Sequence, residues 1–132
     1  MISDEYISYI ENAASEYHLC PEMIEAIIEH ESSGQANAIN GSCKGLMQVN
    51  VPYHMERMHR LGVSNIYDPY SNIVVGCDYL AELFEEYDDI GTVLMVYNGS
   101  SNAIDRGEAG KYTDYAEKII ERSMELERLH NK

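Results

Sequence analysis

The sequence predicts a compact, mainly α bundle, and three observations carry that prediction. Apolar residues recur at helical spacings of three and four along most of the chain, capping and breaking residues bound the periodic stretches, and neither an internal repeat nor a long linker divides them. At 132 residues the chain has the size of one domain, residues 1–132, and can bury roughly two thirds of the surface its unfolded form exposes.

Tyr6, Ile7, Ile10, Ala13, Ala14 and Tyr17 share one face of a first helix over about 4–17, with Ser3 or Asp4 as its cap. Pro21 opens a second helix, because a missing N–H costs nothing in the first turn. Its pattern runs through Met23, Ile24, Ala26, Ile27 and Ile28 to Glu31, and Ser33 with Gly34 ends it. Residues 35–44 are small and polar and read as a loop, with a small β-hairpin near 35–45, turning at Asn40 and Gly41, as the alternative. A short helix is expected from Pro52 to Leu61 with Met55, Met58 and Leu61 inward, and then a turn from Gly62 to Tyr67. Asp68 and Pro69 start the clearest amphipathic segment, whose stripe is Ile73, Gly76, Cys77, Leu80, Leu83, Phe84 and Tyr87; Gly76 there predicts close helix packing. Asp88 or Asp89 caps a helix carrying Ile90, Val93, Leu94 and Tyr97, which Asn98 and Gly99 terminate. A polar loop then runs to Lys111. Thr113 caps a last helix through Ala116, Ile119, Ile120, Ser123 and Met124, whose final turns, rich in Glu and Arg, are expected to extend beyond the fold.

Composition narrows the function. Nine Lys plus Arg stand against 23 Asp plus Glu, a net charge of -14, which argues against nucleic acid and anionic membrane surfaces as partners and reads as a solvated helical surface. Eleven Tyr, one Phe and no Trp mean that nearly every ring carries a hydroxyl needing a partner when buried. Cys20, Cys43 and Cys77 form no CxxC pair and no His stands at zinc-finger spacing, so neither a metal site nor a disulfide framework is indicated; Cys43, in the loop before Gly45, is the most exposed thiol expected. Met1 to Ile10 lacks the basic and apolar regions of a signal peptide, and no stretch is suited to membrane insertion. No cofactor motif is present: His30 and Glu31 begin like a zinc-protease HExxH, but position 34 is Gly, and neither an EF-hand loop nor a GxxxxGK occurs.

Glu31 is the leading candidate for chemistry. Ile24, Ile27 and Ile28 lie seven, four and three residues before it, so a helix puts all four on one face and the carboxyl continues an apolar stripe. Burial disfavours the charged form and raises the pKa, as a general acid working near neutral pH requires. Glu22, Glu25 and Glu29 share the opposite face, expected to be the acidic solvent side of the same helix.

Over roughly Ala13 to Ile120 the sequence resembles the soluble lytic transglycosylase domain family, relatives of goose-type lysozyme. Four blocks agree in order: Ala26 to Ser32 (AIIEHES) with the catalytic-helix motif, Gly45 to Gln48 (GLMQ), then Asp68, Pro69, Asn72, Ile73, Gly76, Tyr79 and Leu80 with a DP..NI..G..YL helix, and Tyr97, Asn98 and Gly99 with a YN.G block. Tyr115 matches a late tyrosine. The resemblance implies a lysozyme-like helical domain that cleaves the β-1,4 bond between N-acetylmuramic acid and N-acetylglucosamine in peptidoglycan, acting as a monomer on glycan strands, leaving 1,6-anhydro ends, with Glu31 as sole essential acid.

On the same resemblance, Ser32 would bond substrate or orient the acid, Gly45 would let backbone approach the sugar, and Met47 and Gln48 would offer an apolar shelf and an amide for an N-acetyl group. Asn98 would contact that group from the opposite wall, Tyr97 would pack beneath Glu31, and the Tyr115 hydroxyl would hold the Glu31 carboxyl. Ala36, Ser42, Cys43, Met95, Val96 and Ser100 depart from the family pattern around the loops. A hydrolytic muramidase, with Asp68 or another acid as second carboxylate, and a non-catalytic wall-binding or assembly protein are the competing readings. The implied substrate lies outside the membrane.

Overall fold

A computed structural model describes residues 2–132. Its elements are α1 (Asp4–Tyr17), α2 (Pro21–Ser32), β1 (Ile39–Asn40), β2 (Cys43–Lys44), β3 (Val49–Asn50), α3 (Met55–Leu61), α4 (Pro69–Glu86), α5 (Ile90–Tyr97), α6 (Ala103–Glu108) and α7 (Asp114–Leu129). The mainly α architecture matches the prediction. Ser3, Asp68, Asp89 and Thr113 each accept a backbone N–H three residues on, so four helix starts are capped by short polar side chains in the expected manner.

The core forms where the apolar stripes of α1, α2, α4, α5 and α7 meet. Ile10, Ile24, Ile27, Ile28, Ile73, Leu80, Leu94 and Ile119 are all essentially solvent-free, and Leu46 and Met47 join them from the loop after β2. A smaller cluster of Val49, Ile66 and Val75, flanked by Met58 and Leu61, seats the strands and α3 against α4. Cys20, Cys43 and Cys77 are unpaired. No helix among the described residues is long and apolar enough to cross a membrane.

Five expectations are corrected. The hairpin exists, but Asn40 pairs with Cys43, so its two-residue turn is Gly41–Ser42; Gly41 has φ +60, the conformation the first loop position of such a turn demands. A third strand, β3, adds antiparallel to β2 through Cys43↔Asn50 and Lys44↔Val49. α3 begins at Met55 rather than Pro52, because the His54 N–H turns back to the carbonyls of Asn50 and Val51; His54 is then buried and Met55 is 64% exposed. The polar loop after Gly99 contains α6, in which Gly107 makes room for the Thr92 side chain, a tertiary fit with no periodic signal in six residues. Gly76 does not bring two helices together; it leaves the space that the Met47 thioether fills.

The fifth correction concerns the acidic face of α2 and the end of α7. Glu22 is 2% exposed, and α7 does not extend past the fold: Leu126 is buried and its last turns close over α2. His130 Nδ1 and Lys132 Nζ lie 2.7 and 2.9 Å from Glu22 Oε2, while Arg122 pairs with Glu29 at 2.8 Å. Burial pushes the Glu22 pKa up, but the hydrogen bonds from His130 and Lys132 more than offset it and hold the group at about 2. Two of the three charges read as a solvent face, Glu22 and Glu29, thus meet partners on α7 and just beyond its end.

Candidate active site

Glu31 stands in the last turn of α2, three residues after the last of the solvent-free isoleucines Ile24, Ile27 and Ile28, and is itself partly exposed. Burial raises its pKa, and the hydrogen bond from Tyr115 opposes part of that rise. Tyr115 lies in the first turn of α7, 9% exposed, and its hydroxyl donates to Glu31 Oε2 at 2.9 Å. The Tyr115 and Tyr97 phenols are both held far above their ordinary pKa, by burial first and then by the nearby Glu31 carboxylate, so both remain proton donors. Cys43 on β2 feels burial and Glu31 in the same order.

Beside this group lies a cavity of about 120 Å³, walled by Cys43, Gln48, His54, Tyr79, Tyr97 and Asn98 among others. Tyr97, the last residue of α5, donates from its hydroxyl to the Met47 carbonyl at 2.8 Å, which ties the α5 wall to the loop after β2. Gln48 adopts φ +52, rare for a residue with a side chain, and its amide nitrogen donates to the carbonyls of Ala38 and Gly45 at 3.2 and 2.9 Å. Asn98 is exposed at the rim, with its amide 3.4 Å from the Ser100 hydroxyl.

Glu31, Tyr97 and Tyr115 are therefore brought together, with Gln48 and Asn98 on the adjoining wall. Three other residues singled out from sequence lie beneath the surface. The Ser32 hydroxyl donates to the Ile28 carbonyl at 3.1 Å and accepts the Gly34 N–H at 3.2 Å. Met47 is wholly buried, its side chain against Gly76. Gly45 is buried with φ +81, and a Cβ there would overlap the Asn72 amide.

Asn72 explains that loop. Wholly buried on α4, it accepts the Met47 N–H at 2.8 Å and donates to the carbonyls of Lys44 and Ile66, both at 2.9 Å. In the sequence this role was signalled only by Asn72's place in the DP..NI..G..YL block and by its standing as a polar residue beside Ile73. Two further wall residues are His54, which the sequence did not single out, and Tyr79, which it marked only as a position of the DP..NI..G..YL block. The His54 Nδ1 accepts the Arg57 Nε–H at 3.2 Å, and burial, then Arg57, lowers the imidazole pKa to about 4. A lone His before a short helix carries no pattern from which that could be read.

Chemically the arrangement supplies one carboxyl biased toward its protonated form, a phenol that holds it, and a wall of amides and rings suited to a polar, ring-bearing ligand. Known proteins resemble this chain over most of its length. A family model described as the transglycosylase SLT domain matches residues 8–120. A protein named "Transglycosylase" from Enterobacteria phage PRD1 is 34% identical over 109 residues, covering 82% of this chain and 39% of that one, so the chain spans about two fifths of that curated relative's length. Among solved structures, an inactive mutant of lytic transglycosylase Slt from Pseudomonas aeruginosa aligns with a TM-score of 0.78 at 18% identity, over 94% of this chain and 24% of that chain. The lysozyme-like helical fold is the one the chain adopts.

Proposed function

Because this chain belongs to the transglycosylase SLT domain family, we propose that it is a lytic transglycosylase acting on the glycan strands of peptidoglycan, with Glu31 as its one catalytic acid. The setting of Glu31 carries the reading. Burial raises its pKa, and the side-chain hydrogen bond it receives comes from the Tyr115 phenol and not from a second acid. Hydrolytic glycosidases ordinarily place two carboxyl groups roughly 5–9.5 Å apart, the second activating water or attacking the sugar. A lyase has no need of one.

In the first step protonated Glu31 gives its proton to the oxygen of the bond between N-acetylmuramic acid and N-acetylglucosamine, and the C1–O bond breaks. The carboxylate left behind then takes the proton of the muramic acid C6 hydroxyl as that oxygen bonds to C1. The product carries a 1,6-anhydro ring, the acid is regenerated, and no water is consumed. The group must donate and then accept, so a moderately raised pKa serves both steps. Tyr115 positions the carboxyl, Gln48 and Asn98 meet the N-acetyl groups, and Tyr97 packs beneath the reacting sugar. Ser32, Gly45 and Met47 support these groups from behind.

The test is to digest purified peptidoglycan and weigh the fragments. Muropeptides one water lighter than hydrolysis products support the proposal, and Glu31→Gln should release none. Hydrated ends would assign the chain to hydrolysis instead, and no release by the native protein would remove both enzymatic readings.

A further inference from the structure

The cavity beside Glu31, at about 120 Å³, is smaller than the roughly 300–1,000 Å³ of ordinary ligand pockets, so a polymer cleaved there must rest on surface outside it. Two neighbouring depressions share a wall residue with it, one of about 520 Å³ through Gly99 and a larger, ring-lined one through His54. The larger, a groove of about 660 Å³, runs along α3, and His54 lines both it and the cavity. The wall between them is a row of rings: Tyr97 to Tyr79 at 5.6 Å between centroids, Tyr79 to His54 at 4.4 Å, and His54 to Tyr53 at 4.8 Å. The row ends in the groove at Tyr53, which is 70% exposed although it packs against His54 and, at 5.9 Å, against Tyr79. Met55, 64% exposed, lies in the same groove.

We propose that the α3 groove is an extended binding surface for the glycan strand, with Tyr53 as the platform on which a sugar outside the catalytic cavity stacks. The inference rests on the lytic transglycosylase reading and adds a residue that determines substrate length. The alternative occupant in the same polymer, the peptide stem, would call for cations to meet its carboxylates. Those in the groove are committed: Arg57 bonds His54, Asp78 and Glu82, and Arg60 bonds Asp78 at 2.6 Å. What the groove leaves open is the largely exposed Tyr53 ring, whose apolar surface suits the C–H face of a pyranose.

The measurement uses the full chain carrying Glu31→Gln and insoluble peptidoglycan whose stems have been removed by an amidase, with intact peptidoglycan in parallel. Adding Tyr53→Ala should weaken retention on the stem-free strands about three- to tenfold, the range of one aromatic stacking contact, while Tyr53→Phe should keep it. In the active protein the same change should raise KM on long strands rather than lower kcat. Equal retention by Tyr53→Ala, loss confined to stem-bearing material, or an equal loss in Tyr53→Phe would each overturn the proposal. Failure of the Glu31→Gln chain to bind either material would instead overturn the parent reading. Because Tyr53 is largely exposed, a circular dichroism melt matching the native protein separates lost binding from lost folding.

Discussion

Tyr115 donates a 2.9 Å hydrogen bond to Glu31 across 84 positions of sequence, joining the start of α7 to the end of α2. That bond opposes the effect of burial on the acid. Tyr115→Phe should therefore raise the Glu31 pKa further and move the alkaline limb of the pH–rate profile to higher pH. It should also lower kcat about tenfold, the scale of one hydrogen bond to a charged group. Carbon-13 titration of the Glu31 carboxyl checks the first expectation; a limb that stays fixed or moves to lower pH contradicts it.

A carboxyl whose folded pKa is raised destabilises the native state once the unfolded chain has lost its proton, above its ordinary pKa near 4.5. Glu31→Gln should thus melt at a higher temperature than the native chain at pH 7. The gap should close as the pH falls through that range, because both forms are then uncharged. Paired thermal melts at neutral and acid pH measure it, and a variant less stable at pH 7 would mean the carboxylate is better accommodated than its burial implies.

Asn72→Ala removes three hydrogen bonds at once and leaves the Met47 N–H and two carbonyls to be satisfied elsewhere. A loss of about 3 kcal/mol is expected from orphaned buried groups, read as a shift of the denaturant midpoint. Gly45→Ala should lose stability for a different reason, a positive φ together with overlap on the Asn72 amide. Combining the two changes should cost less than their sum, since the shortened side chain relieves the overlap.

His54 and Glu22 give stability two acid-sensitive windows. The folded His54 pKa is depressed to about 4 from 6.5, so the unfolded state binds more protons between those values, and stability present above pH 6.5 is lost as the pH falls toward 4. Glu22, lowered to about 2 from 4.5, contributes stability above pH 4.5 that disappears as the pH falls toward 2. Unfolding free energy measured across pH 2–7 should fall in both ranges. His54→Gln should flatten the upper one and Glu22→Gln the lower, and a profile unchanged by either substitution would refute that assignment.

The helices were legible because burial and periodicity coincide in them: the stripes Ile24–Ile27–Ile28 and Ile73–Cys77–Leu80 are solvent-free. The acid was legible for the same reason, as a carboxyl continuing one of those stripes. What sequence missed depends on partners far along the chain. Glu22 reads as a surface charge until His130 and Lys132 close over it, and Met47 reads as a shelf until Gly76 is seen to receive it. Met55 faces outward and His54 inward because one backbone turn at Asn50 and Val51 shifted the helix start. α6 is short enough that its existence depends on the Thr92–Gly107 fit rather than on any pattern of its own.

Asn72 grips its loop only by main-chain atoms, a carbonyl of residue 44, an N–H of residue 47 and a carbonyl of residue 66. Every amino acid supplies those carbonyls, and every one but proline supplies that N–H. The hydrogen bonds themselves therefore ask nothing of the side chains at 44, 47 and 66, and the one size limit they set falls between them, at Gly45, where a Cβ would displace the Asn72 amide. A scaffold built this way separates what a cleft recognises from what keeps it open, which is the condition for retuning one chemistry to many walls.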